Sequence, residues 1–209
     1  MKRQVNILII GLTFGLFTCN SSAVEQKKST EKNIVAENNI STDTQTILTT
    51  VKDLRDICTR GQAKPIIKKS IFPKTKFILQ PDSLTAIETT NFDNGDKLII
   101  KNWGCDYFVL TFHFETSRFK ANTAAVKYWY VTAYKMLTEI KQGIDAPIGI
   151  EKGLQALNEH ISKNALDLKL QTEIDFGGSG IRSFVTVEKV EKIADKKYAL
   201  TISFATGPL

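Results

Sequence analysis

Histidine is almost missing from this chain: 209 residues include only His113 and His160. Cysteine is scarce too, at three, and no two cysteines stand in Cys-x-x-Cys spacing. Zinc sites draw on closely spaced Cys and His ligands, so neither a metal nor any other cofactor is expected. No long run of Lys and Arg appears, and no nucleic-acid motif, although the formal net charge is +6. Cations interspersed with acids, as in Lys189-Val190-Glu191-Lys192, make a mixed solvated surface rather than a footprint for nucleic acid. No Gly-x-Ser-x-Gly elbow is present. Gly178-Ser179-Gly180 falls between two expected strands, where a nucleophile elbow needs a strand-to-helix turn, and it reads as a flexible hairpin. No carboxylate pair has a spacing that marks it for general acid/base work, and there is no internal repeat.

Long hydrophobic runs are missing as well. The longest lies over 7–17, just after Lys2 and Arg3, and spans 11 residues. A bilayer-crossing helix needs roughly 20 apolar residues, whereas a secretory signal core needs about 7–15. The run ends in Leu16-Phe17-Thr18-Cys19 and is followed by the polar Asn20-Ser21-Ser22. This segment resembles the lipobox of bacterial lipoproteins, although Phe17 and Thr18 are bulkier than the small residues favoured there. The resemblance implies that Cys19 becomes the acylated first residue of the mature protein. Two readings compete. Ser21-Ser22-Ala23 suits ordinary secretory cleavage, which would release a soluble protein, and the leader could also stay as an uncleaved anchor. All three export the body. The lipoprotein reading puts it in the cell envelope, held to a membrane and facing the periplasm. No run of acids follows Cys19, so nothing marks it for display on the outer surface.

Residues 1–18 are therefore expected as the signal peptide, and 19–44, rich in Ser, Thr, Asn, Glu and Lys, as a flexible lipid-attached stalk. So little apolar area does not offset ordering entropy. Residues 45–209 remain, enough for one domain, with 23 bases against 18 acids. With Cys19 acylated, Cys58 and Cys105 are an even pair in an oxidising compartment, and a disulfide between them is expected.

Periodicity outlines the body. Ile47, Leu48, Val51, Leu54 and Cys58 share a helical face over 45–60. A short apolar run at 77–79, a mixed segment at 84–90, and strands at 97–103 and 105–115 follow, with Gly104 as a bend. Phe108, Leu110, Phe112 and Phe114 alternate with Val109, Thr111, His113 and Glu115, the clearest strand pattern in the chain. Helices are expected over 122–142 and 150–163, then strands over 168–176, 182–192 and 198–204. The order is α-β(3-4)-α-α-β3, and the expected fold is a two-layer α+β domain: a mainly antiparallel sheet packed by helices. A β-sandwich with accessory helices is the alternative.

Four residues stand out as a candidate binding surface. Trp103 shares a strand face with Ile99 and Lys101, and Tyr107 and His113 share one with Val109. Tyr128 projects away from the apolar seam of its helix. Exposed aromatics favour protein contact. The leading expectation is a non-enzymatic envelope lipoprotein that binds another envelope protein, as inhibitor, immunity factor or assembly component. The alternatives are a binder of a small apolar or anionic ligand between sheet and helices, and an envelope-polymer enzyme using an unrecognised carboxylate pair.

Overall fold

Alternation of apolar and polar residues places successive side chains on opposite faces of a strand. In the computed structural model, which describes residues 58–178 and 180–209, that alternation is expressed in one sheet. Its strands are β1 (Lys76–Leu79), β2 (Ala86–Asn91), β3 (Lys97–Trp103), β4 (Phe108–Thr116), β5 (Glu173–Asp175), β6 (Arg182–Ala194) and β7 (Lys197–Gly207). They lie in the order β1-β2-β3-β4-β7-β6-β5, with each neighbouring pair antiparallel. Helices α1 (Val126–Ile140) and α2 (Ile150–Lys163) occupy the crossover from β4 to β5, with a 3-10 turn at Lys141–Gly143 between them. The leader 1–18, Cys19, the stalk 19–44 and the greater part of the helix expected over 45–60 lie outside the described residues.

The expectation of a helix-packed two-layer α+β domain needs correction. The fold is β-rich: the sheet takes 36% of the described residues and helix only 21%. The described residues hold two α-helices, and residues 58–60, the expected last turn of the helix over 45–60, are not helical. The reason lies in what covers β2 and β3. Irregular backbone does that work: Ile66 and Ile67 are buried in the same core as Leu98 and Ile100, and Phe72 packs against it. The aperiodic residues 61–72 carry no signal for such a role. The described residues form no sandwich either, because their seven strands all belong to one sheet.

The core sits on one sheet face only. Phe112 and Phe114 of β4 pair across to Ile202 and Leu200 of β7, and all four are buried. From α1, Tyr130, Ala133 and Leu137 close over them, and from α2, Leu154 and Leu157. Tyr130 and Leu157 have no exposure at all, so the centre of this layer is closed, while at its margin a pocket of about 110 Å³ opens between Phe114 of the sheet and Met136 and Ile140 of α1. Polar groups in this layer are satisfied: the Tyr130 hydroxyl donates to Lys169 O at 2.6 Å, and Trp129 Nε1 donates to Asn122 O at 2.9 Å.

One carboxylate anchors the irregular cover. Glu88 of β2 points into the core and is 1% exposed. Its Oε1 accepts from Ile66 N at 2.8 Å and its Oε2 from Ile67 N at 3.1 Å. Two backbone donors that have no strand partner are thereby paired, as buried N–H groups require. Burial pushes the Glu88 carboxyl above its ordinary range, against the opposing pull of those two donors and of Lys69.

The expected bridge is present. Cys58 and Cys105 are joined, with their Cα atoms 4.8 Å apart. The bridge fastens the start of the described chain to the connection between β3 and β4.

Candidate functional site

Among the described residues, the second face of the sheet carries no helix. Register fixes its rows. Trp103 pairs with Val109, Lys101 with Thr111 and Ile99 with His113, so these residues share the face opposite the phenylalanines. β7 continues the rows, with Ala205 beside Val109, Ser203 beside Thr111 and Thr201 beside His113. Phe184 and Thr186 of β6 follow beside Ala205 and Ser203.

At one end of this face the β3–β4 connection and strands β5 and β6 enclose a groove of about 760 Å³. Aromatic side chains border it: Trp103 at 38% exposure, Tyr107 at 36%, and Phe184. Backbone geometry sets the first two. Gly104 has φ of +109°, in the region that favours glycine, and a Cβ there would run into Tyr107 O. Gly207 likewise admits the Tyr107 ring, whose atoms lie 2.6–2.7 Å from where a Cβ would stand.

Ser203 and Thr186 line the floor, with Thr111 behind them. Trp103 Nε1 donates to Thr111 Oγ1 at 3.1 Å, and Thr111 Oγ1 lies 2.9 Å from Ser203 Oγ. The next floor hydroxyl is different. Thr186 is 8% exposed, lines the groove, and its buried Oγ1 has no hydrogen-bond partner among the described residues.

Charge is placed by β5 and β6. Arg182 joins Asp175 (Nε to Oδ1, 2.7 Å) and Glu173 (Nη1 to Oε2, 2.6 Å), and its guanidinium carbon stands 4.7 Å from the centre of the Phe184 ring. The Asp175 and then the Glu173 carboxylates hold this guanidinium charged well above its ordinary range. Glu188 arrives by a β-bulge. The β6–β7 register jumps between Val187 and Lys189, so Glu188 is the extra residue and joins the groove wall. Bulges re-aim side chains in this way. Lys189 turns to Glu191, Nζ to Oε1 at 2.8 Å.

The residues singled out in the sequence divide. Trp103 and Tyr107 meet at the groove. His113 stands farther along the same face, half-buried, with Nδ1 3.1 Å from Thr201 Oγ1. Tyr128 belongs elsewhere: it lies on α1, which covers the core face, its ring is edge-on to Trp129 at 5.3 Å, and its hydroxyl accepts from Lys120 N at 3.2 Å. Sequence reading missed the groove's other wall, Glu173, Arg182, Phe184, Thr186 and Glu188. The one available signal was the lapse in alternation from Val185 and Val187 to Val190, which marks the bulge.

Among the described residues, no group of three or more His, Cys, Asp or Glu is arranged to hold a metal ion, and no helix is long and apolar enough to cross a membrane. No family model, curated protein or solved structure matches this chain.

Proposed function

We propose that this chain is an exported, lipid-tethered envelope protein that binds another envelope protein on the sheet face opposite the phenylalanine core and catalyses no reaction. The observation that carries the docking half is the groove between Trp103, Tyr107 and Phe184. Partly exposed aromatics around a cleft with polar floor groups are the composition of binding hot spots. Arg182 engages Glu173 and Asp175 together, which makes them ion-pair partners rather than an acid/base couple. The address half rests on the leader, the lipobox-like segment ending in Cys19, and the disulfide, which suits an oxidising compartment.

Two measurements test the two halves. Intact mass of protein isolated from native membranes is expected to give a chain that begins at Cys19, carries acyl groups and lacks the two hydrogens of one disulfide. Full-length, unprocessed chain in the cytoplasm, with Cys58 and Cys105 reactive, contradicts the address. For docking, Trp103→Ala and Tyr107→Ala are each expected to weaken capture of the native partner about tenfold, the scale of a hot-spot truncation. Tyr128→Ala is expected to leave it unchanged. Equal capture by all three variants contradicts the assignment of this face.

A further inference from the structure

We propose that the groove receives a cationic guest, a lysine- or arginine-bearing segment of the protein partner. The inference rests on the docking reading above and adds the chemistry of what docks.

Charge complementarity carries it. The body as a whole is basic, with 23 bases and 18 acids over residues 45–209. The groove reverses that balance: Asp106, Glu173 and Glu188 line it against the single cation Arg182. That cation is already held by two carboxylates. Asp106 and Glu188 form no ion pair among the described residues, and they come from the two walls, the β3–β4 connection and β6. Lys101 is the nearby opposing charge; its Nζ lies 4.7 Å from the centre of the Trp103 ring, outside the groove lining.

The groove's side chains bear on the guest as well. The Thr186 hydroxyl is buried beneath the floor and partnerless among the described residues, so the accessible groups Asp106 and Glu188, not this hydroxyl, are what a guest meets. Tyr107 adds a ring face, which attracts cations through its quadrupole, whereas the Trp103 ring already holds Lys101. The bulge that brings Glu188 to the wall costs a ladder position in β6, and a carboxylate facing a docking cation gives that position a use. A site of about 760 Å³ that is open to solvent exceeds one side chain and leaves room for the flanking residues of a segment.

The test uses the full mature protein and follows the Trp103 indole N–H resonance during titration with N-acetyl-trilysine amide, N-acetyl-triglutamate amide and spermine. Trilysine is expected to shift the resonance saturably, with affinity falling as salt screens the charges. Glu188→Lys is expected to weaken that response about tenfold through like-charge repulsion, and the milder Glu188→Gln, which leaves the bulge intact, to weaken it less. An equal response to triglutamate overturns the proposal, as does unchanged trilysine binding by both Glu188 variants. Response to spermine alone also overturns it, since the guest is then a polyamine rather than a protein segment. If trilysine fails while native partner capture still depends on Trp103, the cationic guest falls and the docking face stands. If capture is indifferent to Trp103, the docking face itself falls.

Discussion

Opening the Cys58–Cys105 bridge is expected to cost the folded body about 4 kcal/mol, the largest single effect foreseen for this chain. The bridge joins residues 47 apart. Cross-linking over that separation removes closure entropy from the unfolded chain, and the chain-entropy relation gives about 4 kcal/mol near room temperature. The comparison is urea unfolding of oxidised protein, of reduced protein, and of the paired variant Cys58→Ala with Cys105→Ala. Both bridge-free forms are expected to unfold at lower urea, and with a steeper slope, because a chain without the cross-link exposes more surface. Matching midpoints contradict the prediction. Function is expected to follow, because Cys105 itself lines the groove between the two rim aromatics. A looser β3–β4 connection releases Trp103 and Tyr107 from their fixed positions, and immobilising them again on binding costs conformational entropy.

Replacing Glu88 by Ala is expected to cost about 2–4 kcal/mol. Two buried donors, Ile66 N and Ile67 N, lose their acceptor. Each orphan costs about 1–3 kcal/mol, offset in part by relief of the buried charge. The loss is expected to appear locally first, as faster amide hydrogen exchange at Ile66 and Ile67. Glu88→Gln keeps one acceptor and is expected to lose less. The pH dependence has a definite sign. Burial raises the Glu88 carboxyl, so the native state binds a proton more readily than the unfolded chain. The stability this group contributes is therefore fully present below the unfolded pKa of about 4.3 and is lost as pH rises through the native value. Unfolding free energies of wild type minus Glu88→Gln are expected to decline from pH 4 to 7. A difference that grows with pH means that the two N–H donors outweigh burial, and contradicts an upward shift of this carboxyl.

Local pattern and long-range pairing differ in how far the sequence exposes them. The strand expected over 97–103 coincides with β3, and the helix over 150–163 with α2, because period-two and period-3.6 apolar spacing are local properties. The strand expected over 168–176 shrinks to Glu173–Asp175: its leading residues Leu168 and Leu170 pack against the core without strand pairing. The pairing of β4 with β7 joins residues about 90 positions apart, as the Thr111–Ser203 contact illustrates. Nothing in either segment names the other. Trp103 and Tyr107 were legible as exposed aromatics, since period-two alternation puts both on the strand face opposite the phenylalanines. The wall opposite them was not, because it arrives through that distant pairing and through a bulge that erases the alternation it interrupts. The cover over β2 and β3 was hidden for a related reason. Ile66, Ile67 and Phe72 have no repeat, and what holds the two isoleucines is one buried glutamate that looks, in sequence, like any surface residue of a strand.

Recognition on the sheet face opposite the phenylalanine core is the central claim, and amide hydrogen exchange on the captured complex tests it most directly. Protection is expected to gather in the β3–β4 connection around Cys105 to Tyr107 and along β6 from Arg182 to Glu188, with α1 around Tyr128 exchanging as in the free protein. Protection concentrated on α1 and α2, with the groove strands unchanged, would mean that partners dock on the helices and that the groove has no part in recognition.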